Sequence, residues 1–102
     1  MKMQSLETAS RLPVPVDGRA LYSSGRYEMV HLTLQPGEGM EPHAMPFDVV
    51  FFVIEGTGNL LVGDEELSVP RNTAVHVEKG AMRRWRNKEE DILRILVNKI
   101  LE

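Results

Sequence analysis

The side chains of this chain that could act together in chemistry fall in two short segments, and the first contains a single histidine. It reads Gly37, five residues, His43, one residue, Met45, three residues, Val49, six residues, Gly56. An imidazole can serve as a general acid, a general base or a metal ligand near neutral pH. A thioether is a weak acceptor, and valine has no polar side-chain atom. His43 is therefore the candidate catalytic residue.

The second segment begins after a further fifteen residues and contains a fixed positive charge. It reads Asn72, five residues, Glu78-Lys79-Gly80, two residues, Arg83, three residues, Asn87. A guanidinium group stays protonated, offers five N–H donors and binds carboxylates or phosphates bidentately, whereas it repels a metal cation. Arg83 is therefore a candidate anion-binding residue.

Together the two segments resemble the paired motifs of the cupin family, G-x5-H-x-H-x3-4-E-x6-G and G-x5-P-x-G-x2-H-x3-N. The spacings agree across roughly residues 27–98, and five family positions carry the family's residue: Gly37, His43, Gly56, Gly80 and Asn87. The resemblance implies an all-β fold, a small double-stranded β-helix or jelly-roll barrel.

The resemblance also implies where a metal ion would lie. The family places His, His, Glu and His around a divalent metal, and this chain has His43, Met45, Val49 and Arg83 at those positions. A Mn, Fe, Ni or Zn site needs several imidazole or carboxylate donors, which this set does not supply. We therefore expect no metal cofactor.

Two other histidines leave a metal-binding alternative open. If their strands point them inward, His31 or His76 could join His43 as metal ligands. Val75 and Val77 share one face of a predicted strand, so His76 takes the other face. This alternative therefore depends on which strand faces line the barrel.

If the side chains at the family's ligand positions converge inside a barrel, Arg83 needs an anion, because an unpaired desolvated charge costs several kcal/mol. One possibility is a structural ion pair with an acidic residue, or contact with solvent at the mouth of the barrel. The other is a bound carboxylate, phosphate or sulfate. The candidate acidic partners are Asp48, Glu41, Glu55 and Glu78.

Two functional hypotheses follow. The first is a metal-free cupin that binds a small anionic molecule. The second is an enzyme, either a metal-free isomerase or epimerase with His43 as acid or base, or a metal-dependent enzyme such as a dioxygenase with an unusual ligand set. The expected ligand-binding residues are His43, Met45, Val49, Arg83 and Trp85.

Composition excludes several other classes of protein. The chain has 102 residues, a formal net charge of −3 and no cysteine. Its size fits one domain, the absence of cysteine excludes disulfides, and the acidic balance disfavours nucleic acid and membrane surfaces. The run Arg83-Arg84-Trp85-Arg86 is basic and aromatic, but on a strand Arg84 and Arg86 form a solvated face. We expect a soluble cytoplasmic protein.

Short apolar runs separated by Gly, Pro and Asn independently predict a small β-barrel or sandwich. We expect an arm or irregular lead-in over 1–18 and a single barrel domain over 19–102. The predicted strands are Arg19 to Ser24, Tyr27 to Gln35, Val49 to Ile54, Asn59 to Val62, Glu66 to Val69, Thr73 to Val77, Arg83 to Arg86 and Asp91 to Asn98. The continuous apolar runs at 49–54 and 92–97 favour a homodimer.

Overall fold

A computed structural model describes all residues, 1–102, and contains nine β-strands and no helix. The strands are β1 (Ser10–Arg11), β2 (Asp17–Ser23), β3 (Tyr27–Leu34), β4 (Asp48–Glu55), β5 (Thr57–Val62), β6 (Glu65–Pro70), β7 (Thr73–Val77), β8 (Arg83–Arg86) and β9 (Leu93–Ile100). The all-β prediction is confirmed. No helix of the structure is long and apolar enough to span a membrane.

The strands form two antiparallel sheets that enclose one core. The larger has the order β1-β2-β3-β9-β4-β7, and the smaller has the order β6-β5-β8. Buried side chains from both sheets belong to one hydrophobic cluster, in which Leu60 and Trp85 of the small sheet join Phe51 and Ile95 of the large one. Closure of two sheets over a shared core leaves few exposed strand edges.

Alternation along the strands decides which side chains enter this core. In β9, Leu93, Ile95 and Val97 are buried while the residues between them are partly exposed, as a period of two requires. Full burial of an aliphatic side chain stabilises the fold by about 1.5–3 kcal/mol. The same alternation in β8 turns Arg83 and Trp85 inward.

Two glycines permit close approaches that shape the barrel. Gly56, between β4 and β5, has a φ of +81°, and a Cβ there would lie 2.4 Å from the carbonyl oxygen of Ile92. At Gly58 a Cβ would lie 2.5 Å from Cζ3 of Trp85. A larger residue at either position would displace backbone or the indole ring.

Part of the predicted lead-in is built into the barrel. β1 lies within 1–18 and pairs with β2, although it spans only two residues. Val16 is fully buried, and Leu12 and Val14 pack against the core. So short a strand is defined by its pairing with β2, and its two residues carry no strand pattern of their own.

Candidate functional site

A cavity of about 90 Å³ lies between the two sheets. Nine of its 13 lining residues are apolar, and the other four are His43, Arg83, Arg84 and Lys99. No carboxylate lines it. One water molecule needs roughly 10–15 Å³ of such volume, and sites for drug-sized ligands occupy roughly 300–1,000 Å³. The cavity therefore suits a small molecule or a few waters.

A larger depression of about 830 Å³ lies elsewhere on the surface, and only one of its ten lining residues is apolar. Glu55, Arg71 and Glu90 are among these residues, but none of the candidate site residues is. Enclosure and a few convergent polar groups distinguish a binding site from a surface depression. We therefore place the candidate site in the smaller cavity.

Arg83 brings a buried positive charge to the cavity. Its exposed fraction is only 5%. Nη1 donates to the backbone oxygen of His43 at 3.2 Å, Cζ lies 5.8 Å from the ring centroid of Phe51, and Nε has no hydrogen-bond partner. Burial lowers the pKa of the guanidinium from its usual value. The side chain is thus desolvated and incompletely satisfied.

None of the acidic residues proposed as partners forms an ion pair with Arg83. Asp48 accepts from the backbone N–H of Lys79 at 2.9 Å and pairs with His76, and Glu55 pairs with Arg94. Glu41 and Glu78 are exposed and form no ion pair. Arg83 also does not extend into solvent. The structure thus contradicts both the ion-pair and the solvent-contact interpretations.

Trp85 contributes a second buried donor to the cavity wall. It is 2% exposed, and its indole Nε1 has no acceptor. The ring packs edge-on against Phe51, with centroids 5.4 Å apart and an interplanar angle of 84°. Such perpendicular contacts favour one ring orientation. The indole is therefore held in place without its polar atom being satisfied.

His43 lies at the rim of the cavity and is exposed. Its backbone N–H donates to the oxygen of Arg83, and the N–H of Arg83 donates back, each at 3.0 Å. Its Nδ1 lies 3.3 Å from the backbone oxygen of Glu41. The side chain of His43 is therefore not enclosed in the barrel, because its segment lies before β4 and bridges to Arg83 at the start of β8.

Met45 and Val49 differ in their position. Met45 lines the cavity and is half-buried. Val49 is fully buried in the packed core but does not line the cavity. Of the five predicted ligand-binding residues, the structure therefore brings four to the cavity and leaves Val49 out.

Lys99 is a cavity residue that the sequence interpretation missed. It follows Leu93, Ile95 and Val97 on the inward face of β9, with an exposed side-chain fraction of 22%. Its Nζ lies 3.7 Å from Oε1 of Glu28, a long ion pair. The predicted strand ended one residue before Lys99. Lys99 lies two residues after Val97, so in a strand its side chain points to the same face as that of Val97.

The donor set does not fit a divalent metal. His31 lies on the opposite face of β3 from the cavity-lining Val30 and Leu32, and the Nε2 of exposed His76 lies 3.0 Å from Oδ2 of Asp48. No group of three or more His, Cys, Asp or Glu residues could hold a metal ion. The structure therefore does not bring His31 or His76 to His43.

The chain matches the family model for a cupin domain over residues 30–98, which is more than half of its length. It therefore belongs to the cupin family, and the family resemblance of its motifs is confirmed. The chain matches no curated protein.

Solved structures agree with this fold. A predicted oxalate decarboxylase from Thermotoga maritima is 17% identical, with 100% of each chain covered and a TM-score of 0.87. The polyketide cyclase RemF from Streptomyces resistomycificus is 18% identical, with 100% of this chain and 80% of that chain covered and a TM-score of 0.86. An RmlC-like cupin family protein with a double-stranded β-helix fold, from Methanocaldococcus jannaschii, is 23% identical, with 89% and 84% covered and a TM-score of 0.79. These similarities establish the double-stranded β-helix fold.

Proposed function

We propose that this chain is a small cupin that binds a small anionic molecule in its barrel cavity without the family's metal. One observation supports the proposal above others: Arg83 is buried in the cavity wall with no carboxylate partner. Removal of a charge from water without a partner costs several kcal/mol, and a bound anion offsets that cost.

The other polar residues of the cavity also favour a negatively charged ligand. Arg84 and Lys99 add two further cations to the lining, and no acidic side chain lines the cavity to compete for these charges. Charge-assisted hydrogen bonds in a partly desolvated site are roughly twice as strong as neutral ones. An anion that reaches Arg83 therefore gains both charge compensation and hydrogen bonds.

Thermal unfolding with a panel of small anions tests the proposal. The panel contains acetate, butyrate, sulfate and phosphate at constant ionic strength, with wild type compared against Arg83→Met. A ligand present at about one hundred times its Kd stabilises the fold by about 2.7 kcal/mol, or roughly 10 °C in a domain of this size. We expect at least one anion to raise the Tm of the wild type and none to raise that of Arg83→Met.

The matched control is Arg86→Met, which removes an exposed arginine from the other face of the same strand. It should respond to anions as the wild type does. The proposal fails if no anion stabilises the wild type, or if Arg83→Met responds equally.

Metal analysis tests the metal-free part independently. We expect protein purified without chelator or affinity tag to carry no stoichiometric metal, before or after incubation with Mn, Fe, Ni or Zn and desalting. A stoichiometric metal that disappears in His43→Ala would contradict this part of the proposal.

The position of His43 supports a second candidate function, metal-free acid-base catalysis such as isomerisation or epimerisation. Its imidazole belongs to the rim of the cavity that contains Arg83. A general acid or base must lie within hydrogen-bond reach of the reacting proton, and a rim position allows this for a ligand held at Arg83. Unchanged turnover of a small carboxylate in His43→Gln would exclude this function.

We also propose a homodimer that uses the outer face of the large sheet. Three large apolar side chains on this face, Tyr22, Ile54 and Ile100, are 36–46% exposed. An exposed apolar patch on a sheet face is a surface that a partner can cover. Light scattering coupled to size exclusion should give twice the protomer mass, whereas Ile54→Lys should shift the mass toward one protomer. A monomeric wild type at micromolar concentration would refute the dimer.

A further inference from the structure

Two buried N–H donors without acceptors lie two residues apart on the inward face of β8. They are Nε of Arg83 and Nε1 of Trp85, whose residues are 5% and 2% exposed. An unpaired buried donor loses its hydrogen bond to water without replacement. No protein atom accepts from either donor, and both residues line the cavity, so its contents can supply the acceptor.

The indole orientation is fixed by its neighbours. Gly58 approaches the Cε3–Cζ3 edge of Trp85 so closely that a Cβ would lie within 2.5–2.8 Å of those atoms. Nε1 is on the edge of the ring away from Cε3, so Gly58 does not contact it. The donor is therefore held in position before any ligand binds, which lowers the entropic cost of binding.

Most of the remaining wall of the cavity is apolar, although His43, Arg84 and Lys99 also line it. Nine of 13 lining residues are hydrophobic, and Phe51, Val30 and Val97 are among them. Phosphate and sulfate present oxygen atoms in every direction and would leave some of them against hydrocarbon, which is costly. A carboxylate has its two oxygens at one end and can carry a hydrocarbon body.

The volume limits the length of that body. The cavity measures about 90 Å³, whereas an engineered apolar cavity of about 150 Å³ accepts benzene. An aromatic acid is therefore too large for the cavity as it stands. A chain of roughly three to five carbons is the size class that this comparison leaves.

Resting on the proposed function, we infer that the ligand is a short-chain aliphatic monocarboxylate, bound with one oxygen at Arg83 and one at the indole N–H of Trp85. Its hydrocarbon body lies against the apolar wall near Phe51. Trp85 is in this account a specificity-determining residue, since it selects an acceptor at a fixed distance from the positive charge.

The chain contains a single tryptophan, so the indole N–H gives one resonance in a ¹⁵N-labelled sample. Titration of wild type with propionate, butyrate, butyramide and phosphate follows that resonance directly. We expect saturable shifts with both carboxylates, at least tenfold weaker binding of the uncharged butyramide, and no shift with phosphate. Trp85→Phe keeps an aromatic ring against Phe51 and should bind butyrate roughly tenfold more weakly, as expected for loss of one hydrogen bond to a charged group.

The outcomes separate this inference from the proposed function. If butyrate binds and is lost in Arg83→Met, but the indole resonance does not move and Trp85→Phe binds normally, the inference is wrong and the proposed function stands. Equal binding of phosphate and butyrate would also overturn the carboxylate assignment. If no small anion binds the wild type, the donors are satisfied by water alone and both proposals fail. The resonance is measured in wild type, so the test remains decisive even if Trp85→Phe does not fold.

Discussion

Asn87 and Arg83 are buried polar residues that lie four positions apart, Arg83 at the start of β8 and Asn87 just after its end, yet their hydrogen bonding differs. Asn87 is 1% exposed, and its Nδ2 donates to the backbone oxygens of Leu34 and Asp91 at 3.0 and 2.8 Å. Its Oδ1 accepts from the N–H of Glu89 at 3.0 Å. Every hydrogen-bonding atom of this amide is thus used within the protein.

Arg83 has one backbone acceptor for its guanidinium and no carboxylate. Buried polar groups are as a rule fully hydrogen-bonded, so an incompletely satisfied group needs a separate explanation. The difference between the two residues shows that burial alone does not distinguish a structural polar residue from a functional one. The satisfied residue fixes the fold, and the unsatisfied one is the residue for which we propose a ligand.

The largest effect that tests this comparison should come from Asn87→Ala. The change removes three hydrogen bonds and leaves the carbonyl of Leu34 without its partner, so we expect a loss of about 3 kcal/mol in the free energy of unfolding. Urea denaturation measures it. The matched control is Asn59→Ala, because the Oδ1 of Asn59 is buried without a partner and its removal should cost less than about 1 kcal/mol. Equal losses in both variants would break the distinction between satisfied and unsatisfied groups.

A smaller effect of opposite sign should come from Arg83→Met in the absence of ligand. Replacing a buried, incompletely paired charge by an apolar side chain of similar length is often stabilising, and we expect a gain of about 1 kcal/mol. The variant should simultaneously lose anion binding. A loss of stability comparable to that of Asn87→Ala would show that Arg83 is a structural residue, and the comparison would no longer hold.

Local alternation made much of the fold predictable. The predicted strands Thr73–Val77 and Arg83–Arg86 coincide with β7 and β8, and the inward direction of Arg83 and Trp85 follows from a period of two. The ends of the other six predicted strands differ from the observed ends by up to two residues. Glycine and turn residues mark the boundaries between consecutive strands.

The site was less predictable, because its residues depend on contacts between distant segments. His43 is exposed, and its segment pairs with β8, which lies 40 positions further along the chain. Val49 pairs with Val77 and lies in the packed core, outside the cavity lining. Lys99 was missed because pairing with β3 and β4 extends β9 beyond the predicted end. Spacing along the chain does not encode such pairings.

Lys99→Met should have a still smaller effect than Arg83→Met. Lys99 lies at the mouth and already has a partner in Glu28, so its charge is partly screened by solvent and partly compensated. We expect anion affinity to fall by only about two- to fivefold, and this difference to disappear at high salt. Calorimetric titrations at low and high ionic strength measure both the fall in anion affinity and its dependence on salt. A loss as large as that of Arg83→Met would place the main anion contact at the mouth and not at the buried end.

The smallest effect that we expect is a pH dependence of stability from His31, a buried polar side chain on the outer face of the large sheet. Burial, followed by the nearby charge of Arg94, lowers the pKa of His31 below its usual value of 6.5. The unfolded state then binds more protons than the folded state between the two pKa values. The contribution of His31 to the free energy of unfolding is therefore complete above about pH 6.5. It is lost as the pH falls through the pKa of His31 in the folded state.

Urea denaturation between pH 5 and pH 8 should show a steeper loss of unfolding free energy as the pH falls in wild type than in His31→Gln. Since no ligand is proposed near His31, the same slope is expected with and without butyrate. A slope that vanishes when butyrate binds would mean that the two faces of the sheet are coupled, and the titration of a buried group outside the cavity would then also report on the ligand.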